Sequence, residues 1–167
     1  MDYEFFMEKA LIEAKKSLDN GNFPVGCILV YNTEIIASSG KKNTMYDYQN
    51  GNELDHAEIR ALRKLSILKK KTDKENTFLF TTLEPCLMCL GASILNGIKK
   101  IVYAYEDVMG GASKCDLKNI APLYDDNIII VPQILRNKSL SLFKTFFSNP
   151  ENTYLKGTML EKYTLSQ

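Results

Sequence analysis

The sequence predicts an α/β domain in which helices cover both faces of a mixed sheet of about five strands. Three observations carry that reading. The chain has 167 residues, 45% of them hydrophobic and 25% charged, which suits one globular domain with a proper core. Stretches with helical spacing alternate with short apolar runs of β type, in the order helix, two strands, then helix and strand by turns. No internal repeat, low-complexity segment or linker interrupts that order, so residues 1–167 read as a single domain.

The first helix spans about Tyr3 to Leu18. Phe6, Ala10, Ala14 and Leu18 recur every four residues, Leu11 widens the stripe, and Glu8, Lys9, Lys15 and Lys16 lie off it. Gly21, inside Asn20-Gly21-Asn22, supplies the left-handed residue with which a helix stops. Val25 to Tyr31 and Glu34 to Ser38 form an antiparallel pair across an Asn32-Thr33 turn, and the polar stretch Ser39 to Leu54 is a loop. A second helix runs from Asp55 to about Lys70, with Asp55 as its cap and Glu58 in the third place of a capping box. Ala61, Leu62, Leu65 and Leu68 form its buried side, and Lys69-Lys70-Lys71 reads as a solvated helix end favoured by the dipole or as a phosphate-binding patch. Thr77 to Leu83 is a strand. Pro85 takes the first position of a third helix that continues to Asn96 and stops at Gly97. Lys100 to Tyr105 and Asn127 to Val131 are further strands, and Ser139 to Phe147 is the last clear helix.

Composition narrows the function classes. The formal charge is +1 and the pI near 7.6, so no global basic field draws in a polynucleotide, although a local patch can. The acidic start Met1-Asp2-Tyr3-Glu4 lacks the basic and apolar regions of a signal peptide. No run of about 18 apolar residues offers a membrane span. Without an export signal, the four cysteines read as metal ligands or free thiols in a cytoplasmic protein.

The chemistry concentrates in Asp55-His56-Ala57-Glu58 and Glu84-Pro85-Cys86-Leu87-Met88-Cys89. His56 is the single histidine of the chain. One imidazole and two thiolates make three protein ligands, the usual complement of a catalytic zinc site that keeps a fourth position for water. Both halves fall at predicted helix starts, where the dipole favours thiolates, and the i, i+3 spacing puts both sulfurs on one side of a helical turn. Zinc so held lowers the pKa of water from about 15.7 to about 7. Glu58, two residues beyond the histidine, is placed to move the protons, and backbone N–H groups such as that of Ala57 can receive a base carbonyl or developing charge. The pattern H-x-E followed by P-C-x-x-C is the signature of zinc nucleobase deaminases. Each half alone is weak: C-x-x-C after a strand also describes a thiol–disulfide redox site, or half of a structural zinc site. Cys27 and Cys115 match no ligand spacing and read as a buried strand residue and a loop thiol.

On these residues the chain resembles the cytidine deaminase superfamily, and within it the bacterial tRNA adenosine deaminases and close relatives. The likeness covers roughly Phe5 to Ala112, through Pro24-Val25-Gly26, Asp55-His56-Ala57-Glu58-Ile59, Ala61-Leu62-Arg63, Thr82-Leu83-Glu84-Pro85-Cys86-Leu87-Met88-Cys89, Gly91-Ala92, Val102-Tyr103, Asp107 and Gly111-Ala112. The resemblance implies a three-layer α-β-α cytidine-deaminase-like domain and Zn2+ on His56, Cys86 and Cys89. It also implies Glu58 as proton shuttle, Asn43 bonding the substrate, Val25 lining the base pocket, Asp107 near the substrate backbone, and a homodimer that completes the site. The departures concern the substrate. Glu106 and Met109 stand where the tRNA enzymes tend to be basic, and the tail from Ser148 is polar and aromatic. Residues 148–167 therefore suggest a cap like that of the free-base deaminases, or a helix packed on the core. The reaction expected is hydrolytic loss of an exocyclic amine from a nucleobase, adenosine in tRNA or a free base or nucleoside. A non-catalytic RNA-binding subunit and a C-x-x-C redox protein are the readings from other classes.

Overall fold

In the computed structural model, residues 1–44, 52–68, 72–119, 124 and 127–167 are described. The elements run α1 (Tyr3–Asp19), β1 (Gly26–Tyr31), β2 (Glu34–Gly40), α2 (Ala57–Ser66), β3 (Thr77–Leu83), α3 (Leu87–Leu95), β4 (Lys100–Tyr105), β5 (Ile129–Val131), α4 (Arg136–Phe147) and α5 (Met159–Ser166). The sheet has the order β2-β1-β3-β4-β5. Strand β1 is antiparallel to both β2 and β3, while β3, β4 and β5 run parallel. The mixed five-stranded sheet expected from the sequence is therefore present. Among the described residues no helix is long and apolar enough to cross a membrane.

The period-two alternation of the strands sorts the core into two layers. Ile28, Val30, Phe80, Val102 and Ala104 meet Phe6, Met7, Ala10 and Leu11 of α1 on one face. Cys27, Leu29, Leu79 and Ile101 meet Ala61, Leu62 and Leu65 of α2 and Leu90 and Ile94 of α3 on the other. Helix α4 packs beside α1 and against β4, completing the three layers. Gly26 shows how tightly α1 sits: a Cβ there would run into the backbone of Ala10 and Ala14.

Local signals explain most boundaries. Asp2 caps α1 by accepting from the Phe5 N–H at 3.0 Å, and Gly21 follows its end at φ 72°. Asn32 and Thr33, at φ 49° and 64°, make the two-residue turn that matches strand twist. The differences from expectation cluster where the chain carries chemistry. Helix α2 is capped by His56, not Asp55, and its cap side chain makes no capping bond. Glu58 is thus its second residue, and its carboxylate turns into the sheet instead of closing a capping box. Helix α3 begins after Cys86, not at Pro85, because Cys86 stays extended and bridges to Gly111 while the Pro85 carbonyl accepts from the Ala112 N–H at 3.0 Å. Strand β2 continues to Gly40, β5 begins at Ile129, and α4 begins at Arg136. Helix α5 realises the helical reading of the tail, although only Leu160 and Thr164 of its eight residues are buried and no apolar stripe marks its bounds. The run Lys69-Lys70-Lys71 lies outside the described residues.

Candidate active site

Two helix N-termini converge on one cluster. His56 caps α2 and Cys86 caps α3, each carbonyl accepting the first intrahelical bond, from Arg60 and Leu90 at 3.0 and 2.9 Å. The N–H groups of the first turns have no intrahelical acceptor, so both positive helix ends face the cluster. His56 Nδ1 lies 3.6 Å from Cys86 Sγ and 3.4 Å from Cys89 Sγ. For a tetrahedral zinc with bonds of about 2.0 Å to nitrogen and 2.3 Å to sulfur, adjacent N and S ligands stand about 3.5 Å apart. The observed spacing fits zinc, with Nδ1 rather than Nε2 as the nitrogen ligand. Among the described residues this is the one group of three potential ligands found together, their ligating atoms all within 4.8 Å.

Electrostatics agree with a cation there. The Cys86 thiol is pushed down to about 4, chiefly by its hydrogen bond with Cys89 and, against burial, by His56. Cys89 moves the other way, raised first by that shared bond, then by burial and the Glu58 charge. The two thiols are thus pushed in opposite directions by their contact, and a dication would favour thiolate at both. His56 is raised by the Cys86 contact against the opposing effect of burial.

Glu58 enters the same space from the first turn of α2. It is 3% exposed, accepts from Thr81 Oγ1 at 2.8 Å through Oε1, and meets Cys89 Sγ at 3.5 Å through Oε2. Burial raises its pKa, with His56 and the Thr81 bond opposing. A buried carboxyl with a raised pKa, one oxygen fixed and the other facing the ligands, has the attributes of a general acid–base.

The other residues expected at the site, Val25, Asn43 and Asp107, each have contacts of their own. Val25 is buried in the same core cluster as Ala57, the first residue of α2. Asn43, left-handed at φ 54°, donates its side-chain amide to Asp55 Oδ2 at 2.7 Å. Asp107 accepts from the Met109 and Gly110 N–H groups, both at 2.9 Å, so its carboxylate shapes its own turn; burial raises its pKa against those bonds. Cys27 is buried and Cys115 exposed, and neither approaches the ligands.

Four further residues escaped the sequence reading of roles. Thr81 holds Glu58. Glu84, quoted in the motif but given no task, accepts from the N–H groups of Asp107 and Ser113, both at 3.1 Å, and from the Ser113 hydroxyl. It thereby ties the 107–113 loop over Cys86, and Gly111 has no side chain because a Cβ would strike the Glu84 carboxylate. Lys41 is buried at 2% exposure, and its Nζ donates to the Asn52 carbonyl at 3.0 Å. Glu53 lies between Lys41, His56 and the tail. Alternation in β3 offered a signal for Thr81; nothing in the polar loop singled out Lys41 or Glu53.

Comparison with known proteins places this geometry. Residues 1–105 match the model of the cytidine and deoxycytidylate deaminase zinc-binding region. The chain is 34% identical over 152 residues to the tRNA-specific adenosine deaminase of Buchnera aphidicola subsp. Schizaphis graminum, covering 87% of this chain and 93% of that one. It is 36% identical over 110 residues to the tRNA-specific adenosine deaminase of Bacillus subtilis, 66% of each chain. Among solved structures, a tRNA:A34 deaminase studied for A-to-I editing at the wobble position superposes with a TM-score of 0.68 at 26% identity, over 83% of this chain and 98% of that one. A guanine deaminase from Nitrosomonas europaea shares the fold, with a TM-score of 0.60 at 20% identity over 86% of this chain and 83% of that one. The matched zinc-binding region spans both halves of the cluster, and the chain belongs to the cytidine and deoxycytidylate deaminase zinc-binding family, as a zinc-dependent hydrolytic nucleobase deaminase resembling the tRNA adenosine deaminases.

Proposed function

We propose that the chain converts adenosine to inosine in tRNA, with water as the second reactant and ammonia as the product. The observation that carries the chemistry is the buried Glu58 carboxyl standing 3.5 Å from a sulfur of the ligand cluster. His56, Cys86 and Cys89 would hold zinc, whose Lewis acidity lets water lose a proton near neutral pH. Glu58 would accept that proton through Oε2 and pass it to the ring nitrogen, which keeps it, as the oxygen adds to the amine-bearing carbon; it would then carry the remaining hydroxyl proton to the amine, which leaves as ammonia when the C–N bond breaks. Thr81 keeps the carboxyl aimed throughout. In this reading the N–H of Ala57 would donate to a base atom, Val25 would line the base pocket, Asn43 would bond the substrate and Asp107 would lie near its backbone.

The substrate assignment rests on the tRNA-specific relatives. One feature favours a second reading, a free base or nucleoside: the arginine that faces Glu106 is already paired. Glu106 is held by Arg136 at 2.9 Å and by the Tyr163 hydroxyl at 2.7 Å, so Arg136 is committed inside the fold. The 148–167 segment would then serve as a cap within the same single domain. Measuring inosine in a tRNA anticodon arm beside ammonia release from a panel of bases and nucleosides tests the assignment. Inosine formation that weakens steeply with salt is expected; turnover of free bases alone would overturn the tRNA reading. We further propose a homodimer, supported by the exposed apolar side chains Leu54, Leu87, Val108 and Met109, and a cytoplasmic location, in keeping with a tRNA substrate. Sedimentation analysis checks the dimer.

A further inference from the structure

Three polar groups surround one oxygen outside the ligand cluster, one of them from the far end of the chain. Glu53 Oε2 accepts from the Tyr154 hydroxyl at 3.0 Å, lies 3.9 Å from Lys41 Nζ, and lies 4.0 Å from His56 Nε2. His56 uses Nδ1 toward the sulfurs, so Nε2 is the ring nitrogen left for an outer partner. A metal-ligating histidine usually gives that other N–H to a carboxylate, which fixes the ring and makes it a better ligand.

The surroundings are built to hold the carboxylate there. Asn52 anchors the backbone on either side of Glu53 by accepting from Leu54 N–H through its side chain at 2.9 Å and from Asp55 N–H through its carbonyl at 3.2 Å. Lys41 is buried, with its Nζ donated to the Asn52 carbonyl at 3.0 Å, which places a cation under the same turn. Tyr154 is fixed in turn: its N–H donates to Asn152 Oδ1 at 3.0 Å, and its ring centroid sits 5.4 Å from that of Phe23. The Glu53 side chain is 64% exposed, which leaves it the rotamer freedom to shorten the path to Nε2.

We propose that Glu53 is a positioning residue for the metal, orienting His56 through Nε2, and that Tyr154 of the C-terminal segment acts on the metal site through Glu53. The inference rests on the zinc reading of His56, Cys86 and Cys89. It makes the tail part of the metal site's support, so that ordering of residues around Tyr154 and the affinity of the site are linked.

Zinc affinity is the readout, by competition against a chromophoric chelator, with far-ultraviolet circular dichroism to confirm that each variant is folded. Glu53→Ala should bind zinc 10–100-fold more weakly than wild type, the range for loss of an outer carboxylate; Glu53→Gln, which keeps an acceptor but no charge, should fall between. Tyr154→Phe should weaken binding severalfold in the wild-type background and leave it unchanged in the Glu53→Ala background, because its effect runs through the missing carboxylate. Equal zinc affinity in wild type and Glu53→Ala overturns the proposal while leaving the zinc site intact. Additive effects of the two substitutions overturn the role of Tyr154. A wild-type chain that binds no zinc overturns the underlying reading of the cluster itself.

Discussion

The ligand cluster and the mouth around it are assembled in opposite ways. His56, Glu58, Cys86 and Cys89 come from two short stretches, each at the start of a helix, and the parallel and antiparallel pairings of β3 bring those starts together. The mouth draws Lys41 and Glu53 from one loop, Glu84 and Ser113 from either side of β4, and Tyr154 from a tail 101 residues beyond Glu53. Chemistry set by backbone dipoles and short spacings can be written locally. Selectivity set by contacts between loops cannot, and the two regions should therefore respond differently to substitution.

The largest difference is expected at Glu58. Glu58→Ala should lower turnover by at least about a hundredfold, the lower end for a positioned acid–base, while one zinc per chain remains bound. Glu58→Gln keeps an acceptor for Thr81 and should be equally inactive, since an amide cannot carry the proton. Single-turnover rates and zinc content measured on the same preparations check this; activity within tenfold of wild type in either variant would remove Glu58 from the mechanism.

Glu84 sharpens the comparison because it belongs to the motif yet works in the mouth. Glu84→Ala strands the N–H groups of Asp107 and Ser113 in a part-buried loop, and each stranded donor costs about 1–3 kcal/mol. A loss of about 2–4 kcal/mol in denaturant unfolding is expected, on the same basis. Ser113→Ala, which removes only the hydroxyl bond, should cost about 1 kcal/mol. If both variants unfold with the wild-type midpoint, the loop is not held by this carboxylate.

These cases show what was legible in the sequence. The fold class followed from the alternation of periods, because buried strands and amphipathic helices leave their mark in every few residues. The ligands and Glu58 followed because zinc accepts few donor sets and the chain contains one histidine. Helix starts failed at the same residues for a physical reason. Asp55 and Glu58 have the composition of a capping box, but Glu58 is pulled into the sheet by Thr81 and His56 must face the sulfurs. Pro85 has the composition of a first helical residue, but pairing across to Gly111 keeps Cys86 extended. Glu53 and Lys41 were not legible because no local pattern encodes a contact between their loop and a tail 101 residues beyond Glu53; the aromatic tail suggested a cap but not the bond of Tyr154 to Glu53. Helix α5 was legible only as one of two readings of the tail, without bounds, because its buried side is only two residues wide.

A smaller effect, confined to the mouth, is expected from the Glu106–Arg136–Tyr163 group. Burial works to raise Glu106, but the bonds from Arg136 and Tyr163 outweigh it and hold the carboxyl down to about 2 from an ordinary 4.5. A depressed folded-state pKa contributes stability that is fully present above the unfolded value. That contribution is therefore retained at neutral pH and lost as pH falls from about 4.5 through about 2. Glu106→Gln should lower stability at pH 7 by about 1–3 kcal/mol, as expected for charge-assisted bonds, and flatten the acid limb over that window. Denaturant melts of both proteins from pH 7 to pH 2.5 provide the measurement, and parallel curves would show that the pair contributes no linkage.

The smallest expected effect is also the one that separates the two substrates. Tyr154 places its ring against Phe23 and its hydroxyl on Glu53, so it closes one side of the mouth next to the ligands. An anticodon loop must pass that side with its backbone solvated, and an aromatic cap gives it little; a free base would rely on the same ring to exclude water. With zinc saturating, so that any change in metal affinity is without effect, Tyr154→Ala should leave kcat and KM for the tRNA substrate within about threefold of wild type, less than about 0.7 kcal/mol. A nucleoside substrate would instead lose kcat as water enters. The comparison is internal to one variant, and unequal loss between the two substrates reads directly which of them the mouth was shaped around.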